Sequence, residues 1–172
     1  MKKKLSLLLA LCLLAVPLTA CQSNDADTSQ SDSDTTQSDT LVIATTSDVS
    51  SLDPSRMASG AETYASSCVY DTLTWLPLGA EEPLMRIAES YTVSEDGLSY
   101  TFTLRDDVLF HDGSALTVDD VLYSIELFRS SAALASYSYS IAGCEAPDDS
   151  TVVVTLSAPD PAFFENFNNC FI

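Results

Sequence analysis

Residues 88–124 read AESYTVSEDGLSYTFTLRDDVLFHDGSALTVDDVLYS, and this stretch decides the fold class. Tyr91 and Val93 lead into Ser94, Glu95, Asp96 and Gly97, a turn rich in acceptors with a glycine free to take positive φ. Residues 98–105 then alternate, with Leu98, Tyr100, Phe102 and Leu104 on one side and Ser99, Thr101, Thr103 and Arg105 on the other. That period of two marks a half-buried antiparallel strand. Residues 108–110 continue the apolar pattern, and His111, Asp112 and Gly113 turn the chain again. Thr117 reads as a helix N-cap, with Asp120 at the capping-box position as a shorter relative of the usual Glu. Val118, Val121, Leu122, Ile125 and Phe128 form one apolar stripe, and Asp119 and Asp120 complement the helix dipole. Strand, turn, strand, turn and capped helix together indicate an α+β chain.

Downstream, residues 151–156 (TVVVTL) read as a strong strand paired by hairpin logic with residues 141–146, across Pro147, Asp148 and Asp149. Pro159 and Pro161 open a final helix from Ala162, and residues 130–140 read either as a loop or as a broken helix. Upstream, residues 41–45 (LVIAT) read as a buried first strand, and residues 47–54 have turn composition. In residues 61–76, Tyr64, Ala65, Cys68, Val69, Leu73 and Leu76 fall at steps of three and four. The spacing predicts one amphipathic helix ended by Pro77 and Gly79, with Glu62, Ser66, Ser67 and Thr74 on its solvated face.

The amino terminus has the composition of an export signal. Lys2, Lys3 and Lys4 precede an apolar run over residues 5–18, shorter than the roughly 20 residues a transmembrane helix needs. Leu18, Thr19, Ala20 and Cys21 resemble a bacterial lipobox, which makes residues 1–20 a lipoprotein signal peptide and Cys21 the lipidated residue. An ordinary signal cleavage with an incidental cysteine is the alternative. Residues 22–40 (QSNDADTSQSDSDTTQSDT) contain Ala26 as their only apolar residue, so residues 21–40 read as a disordered acidic tether. Beyond the signal, Arg56, Arg86, Arg105 and Arg129 face 25 acidic residues, so 4 − 25 gives −21. With no basic stripe to neutralise phosphates, nucleic acid is excluded as a partner. An anionic membrane would repel such a chain, so attachment falls to the covalent lipid, and to more than one acyl chain.

Cys68, Cys144 and Cys170 fit no zinc spacing, permit at most one disulfide, and read as simple buried apolar residues. The single histidine, His111, has Asp112 beside it but no second ligand or base to complete a site. No Gly-x-Ser-x-Gly elbow and no glycine-rich phosphate loop occur. The acid pairs Glu81–Glu82, Asp106–Asp107 and Asp148–Asp149 read as solvated loop residues. Arg105 either binds a ligand carboxylate or pairs with Glu89 or Asp107, the second being the simpler role. No catalytic residue, metal or cofactor is therefore assigned.

Across residues 88–124, Ala88, Glu89, Ser90, Asp96, Gly97, Tyr100, Thr101, Phe102, Leu104, Arg105, Phe110, Asp112, Gly113, Thr117, Asp120, Val121 and Ser124 stand in a fixed order with short gaps. Outside it, Ser51-Leu52-Asp53-Pro54, Tyr70-Asp71-Thr72-Leu73, Glu145-Ala146-Pro147-Asp148-Asp149 and Pro159-Asp160-Pro161-Ala162-Phe163 continue the pattern. Together they resemble extracellular solute-binding protein family 5, the peptide- and nickel-type binding lipoproteins of ABC importers. The resemblance implies the N-terminal part of a two-lobed periplasmic-binding-protein-like fold (class II, cluster C), with mixed sheets and flanking helices. It assigns residues 41–77 to the start of lobe one and 78–172 to a small α/β subdomain, with the rest of the fold beyond Ile172. It also implies capture of a peptide or related solute outside the cell, with delivery to an ABC permease and its ATPase. In relatives the loop after Leu-Asp-Pro lies at the ligand cleft, which makes Ala58, Ser59 and Gly60 candidate backbone contacts. A segment after the capped helix also reaches the cleft there, which adds Leu134, where relatives often carry an aromatic, and Tyr137 nearby. As a fragment, the 172-residue chain is expected to bind peptide negligibly. The rival classes are a structural or non-transport surface lipoprotein, and a lipid-anchored hydrolase for which no convergent site can be assembled.

Overall fold

The computed structural model describes residues 40–172. The signal-peptide, Cys21 lipidation and most of the tether assignments lie outside the described residues. Residues 43–172 form one compact unit.

Its centre is a four-stranded antiparallel sheet. β3 (Ala88–Val93) and β4 (Ser99–Leu104) form one hairpin, β5 (Ile141–Asp148) and β6 (Thr151–Leu156) another, in the order β3-β4-β6-β5. Two further short strands, β1 (Thr74–Trp75) and β2 (Leu84–Met85), pair separately. The alternation read from residues 98–105 holds: Tyr100, Phe102 and Leu104 are buried, as are Val152, Val154 and Leu156 on β6. The register places Phe102 opposite Val152 and Tyr100 opposite Val154, so both strands present one apolar face.

Each hairpin turn is closed locally. At residues 94–97, Asp96 Oδ1 accepts the Ser94 hydroxyl (2.6 Å) and the Leu98 N–H (3.1 Å), while Gly97 takes φ +68°. In the β5–β6 hairpin the turn falls at Asp149 and Ser150, one residue later than expected, because Asp148 stays in register with Thr151. Pro147 is tolerated inside β5 because β5 is an edge strand and its register shifts between Glu145 and Asp148.

The apolar face is covered by helices. α2 (Val118–Ser130) starts on the expected capping box, with Thr117 accepting from the Asp120 N–H and Asp120 accepting from the Thr117 N–H. It buries Val121, Ile125 and Phe128 against the sheet. Residues 130–140 contain one short helix, α3 (Ala135–Ser138). α4 (Phe163–Phe167) follows the Pro159–Pro161 turn as expected, and Asp160 accepts the Ala162 N–H at its entry (2.9 Å). Phe163 lies 4.0 Å from Tyr100 by ring centroids and Phe167 stacks on Phe102 at 5.9 Å, so α4 is held by an aromatic cluster. The last residues dock: Cys170 and Phe171 are buried and the Ile172 N–H donates to the Asp71 carbonyl (2.9 Å).

The upstream segment corrects four expectations. Residues 41–45 form no strand, and Leu41 and Val42 are 83% and 85% exposed. A strand needs a partner ladder, and no described strand pairs with this run. The helix expected over residues 61–76 is only α1 (Gly60–Ser67), because the chain from Thr72 onward is extended. The Ile87 and Ala88 N–H groups donate to the Thr72 and Leu73 carbonyls, a ladder that a helix could not offer. The faces of α1 are also the reverse of those expected: Ala61, Glu62 and Ser66 are buried, whereas Tyr64 is 70% exposed. Finally, Cys68 is exposed, unlike the buried Cys170, and the three described cysteines are free thiols. Burial drives the thiol of Cys170 well above its ordinary range, and that of Cys144, with Glu126 nearby, up to about 11.

Candidate ligand-binding site

Two segments more than seventy residues apart meet on one side of the unit. The first begins with a 3₁₀ turn (Pro54–Arg56), whose N-cap Asp53 accepts from the Ser55 N–H (2.9 Å) and hydroxyl (2.7 Å). These bonds, the hydroxyl's first, hold the Asp53 carboxyl below its usual range. The chain then passes Met57 and enters α1 at Ser59, an extended residue at φ −141° and ψ 156°. Ser59 Oγ accepts the Glu62 N–H (3.3 Å), and Glu62 Oε2 accepts the N–H groups of Ser59 (3.0 Å) and Ala58 (2.7 Å). Glu62 Oε1 accepts the Ser50 hydroxyl. The Ser50 hydroxyl first, then the Ala58 N–H, hold this carboxyl at about 2 against the opposing effect of burial.

The second segment follows α2. Ser131 ties the two together: its hydroxyl donates to the Ser55 carbonyl (2.6 Å) and accepts the Leu134 N–H (3.3 Å). Leu134 then starts α3, its carbonyl accepting from Tyr137 (2.9 Å) and Ser138 (3.1 Å).

Between the segments lies a cavity of about 310 Å³ lined by Ala58, Ser59, Gly60, Leu134 and Tyr137, all five candidate contact residues. Leu134 is only 3% exposed and belongs to the core, so it offers the cavity a small apolar patch; Tyr137 is 41% exposed. The lining also includes Thr63, Ser136 and Asn169, which the sequence did not single out. Glu62 was missed as well, having been placed on a solvated face. The available signal was Ser59-x-x-Glu62, a capping box of the same form as Thr117-x-x-Asp120.

A larger cavity, about 650 Å³, is lined in part by Arg86, Arg105, His111 and Val108. Its cations are already engaged. Arg105 makes a two-pronged pair with Asp107 (2.9 and 2.9 Å), one of the two structural partners expected from the sequence, and Arg86 pairs with Asp71 (2.9 Å). These pairs are half-exposed, so solvent screens them and they add little to stability. His111 stands exposed in its turn, which is closed by Asp112 accepting from Ser114 (2.9 and 2.7 Å).

Comparison with known proteins identifies the group to which this arrangement belongs. The profile of the bacterial extracellular solute-binding proteins, family 5 Middle, matches residues 82–172. The chain belongs to this family. Among relatives, heme-binding protein A of Haemophilus influenzae is 31% identical over 196 residues, covering 100% of this chain and 36% of that protein. Di/tripeptide-binding protein 1 of Pseudomonas aeruginosa is 31% identical over 148 residues, covering 73% of this chain and 27% of that protein. Among solved structures, the ABC transporter-associated periplasmic binding protein DppA of Helicobacter pylori, in complex with the peptide STSA, aligns with a TM-score of 0.61. It is 30% identical, with 73% of this chain and 29% of that one covered. This family-5 chain thus spans about a third or less of the length of these relatives. The α+β architecture expected from residues 88–124 is that of the matching part of a periplasmic binding protein. Members of the family are extracellular or periplasmic binding proteins of ABC transporters, a role of capture rather than catalysis.

Proposed function

We propose that this chain is part of the substrate-binding component of an ABC importer that captures oligopeptides or dipeptides outside the cell and delivers them to the permease and its ATPase. The observation that carries this assignment is the convergence of Ala58, Ser59, Gly60, Leu134 and Tyr137 on one cavity of about 310 Å³. Six of its ten lining residues are Gly, Ala, Ser or Thr, small enough to let a peptide main chain approach for strand-like hydrogen bonding. The peptide named for relatives supports this class. Residues 41–77 would belong to lobe one and 78–172 to the small subdomain, with the remaining contacts supplied by a second lobe.

The experiment is a ¹⁵N-resolved titration of the chain with trialanine. Calorimetry should detect no tight binding, because one wall of a cleft buries little of a ligand. At millimolar peptide the amides of residues 58–60 and 137 should shift, while those of β3 should not. Shifts spread evenly over the chain, or none at residues 58–60, would refute the site.

The same proposal places the protein on the outer face of the cell membrane through a lipid on Cys21, held off the bilayer by the tether. Cys21→Ser in the producing cell should move the protein from the membrane fraction to the soluble or secreted fraction. Retention in the membrane fraction would remove the anchor from the proposal.

A further inference from the structure

The β1–β2 hairpin turns apolar side chains outward. Trp75, the only tryptophan of the chain, stands directly opposite Leu84 in the register, so both lie on one face of the ribbon. That face is open: Trp75 is 38% exposed and Leu84 56%, while Thr74 on the opposite face is buried. Between the strands the Ala80 N–H donates to the Pro77 carbonyl (3.0 Å) and Gly79 takes φ +79°, a turn that puts Leu78 at its apex. Leu78 is fully exposed. Single exposed apolar residues are ordinary, but a tryptophan and two leucines on one small hairpin make a patch. Nor is the hairpin a loose loop. Asn168 braces its base through one side-chain amide, accepting the Leu76 N–H (2.8 Å) and donating to the Leu76 carbonyl (2.8 Å). The Arg86 and Ala88 N–H groups close on the Leu73 carbonyl beside it. A patch on a braced element enters a contact with little ordering left to lose.

The charge around the patch narrows what can cover it. Glu81 and Glu82 follow the turn, both exposed and neither in an ion pair among the described residues. Residues 74–85 contain no cationic side chain. An anionic bilayer repels such a tip, and a second copy apposed tip to tip would set its own carboxylates against these. An apolar pocket rimmed by Lys or Arg on another protein suits both the patch and the acids. We propose that this hairpin tip docks the chain onto a protein partner of that chemistry; under the function proposed above the partner is the permease, and the inference rests on that reading. Trp75 and Leu78 are the anchors, and Glu81 and Glu82 steer the approach. One hairpin tip buries well below the roughly 1,200 Å² at which stable interfaces begin, so the contact is transient. That suits a protein that must leave after each delivery.

Trp75 supplies the probe. Hydroxytryptophan incorporated at this position can be excited apart from a partner's tryptophans, and Cys21→Ser removes any lipid that would carry the chain to a bilayer. The labelled chain is titrated with the detergent-solubilised permease–ATPase complex of the producing cell, with phosphatidylglycerol vesicles, and with itself. Emission should shift to the blue with the complex alone. Leu78→Asp should raise the apparent Kd about 10-fold or more. Glu81→Lys with Glu82→Lys should slow association about 5-fold or more at low salt, an effect lost at high salt. These residues are exposed, so the urea midpoint of the chain should stay where it is. A blue shift with vesicles or with chain concentration, or emission already blue in the free chain, overturns the inference, because a membrane, a second copy or the chain itself then covers the patch. Wild-type affinity of Leu78→Asp for the complex also overturns it and leaves the transporter reading standing. No binding of the wild-type chain to the complex removes that reading, and the inference with it.

Discussion

α1 and α2 open with the same device and put it to different uses. Each has a hydroxyl N-cap, Ser59 or Thr117, and an acid three residues on that reaches back to the cap's own N–H. In α2 the box sits at the surface, and the helix behind it buries Val121, Ile125 and Phe128 against the sheet. In α1 the box itself is buried, through Glu62, and the apolar Tyr64 faces solvent at 70% exposure. Capping chemistry therefore starts a helix but does not orient it. α2 is placed by the apolar area it covers, whereas α1 is placed by the donors that converge on one carboxylate. The first kind of placement builds scaffold, and the second shapes a loop.

The contrast can be broken most strongly through the cores of the two helices. Ile125→Ala on α2 removes a fully buried side chain and should cost about 2–5 kcal/mol. Tyr64→Ala on α1 should stay within about 0.5 kcal/mol. Urea unfolding of both variants checks this, and a comparable loss in both would mean that α1 also is held by apolar packing.

The caps offer a finer test. Ser59→Ala and Thr117→Ala should each cost about 1 kcal/mol in the same assay. Amide exchange should then distinguish them. Loss of Ser59 should loosen residues 58–60 together with α1, while loss of Thr117 should leave the cavity loop unchanged.

A further effect is in the acid limb of the stability curve. The Glu62 carboxyl is depressed from 4.5 to about 2, so folding stabilises its ionised form. That contribution is fully present above about pH 4.5 and is lost as pH falls towards 2. Glu62→Gln should therefore show a shallower loss of stability between those pH values than the wild-type chain. Equal slopes in thermal melts across the window would show that the carboxylate is not held as described.

What could be read in advance follows the range of the forces involved. The β3–β4 hairpin, the β5–β6 hairpin and α2 were legible because their causes are local. Alternation fixes which side of a strand is apolar, Gly97 and Gly113 mark turns that need positive φ, and Thr117 with Asp120 closes a box within four residues. Residues 61–76 misled because steps of three and four there come from two different elements. Tyr64 lies on the exposed side of a short helix and Cys68 at its C-cap, whereas Leu73 is buried at the start of an extended run that receives the Arg86 and Ala88 N–H groups. No local signal states that Thr72 and Leu73 will find a ladder more than a dozen residues away.

The sequence by itself determined the α+β class, the two hairpins, the capped helix and the family, since each rests on spacing within a few residues. It also named the loop at residues 58–60 and the segment at 134–137, through resemblance. Only the tertiary structure brought those segments to one cavity, through a hydroxyl of Ser131 that reaches a carbonyl at Ser55. It alone turned Glu62 inward, because a carboxylate is buried only where enough donors gather to replace water, and those donors come from three separate positions of the folded chain.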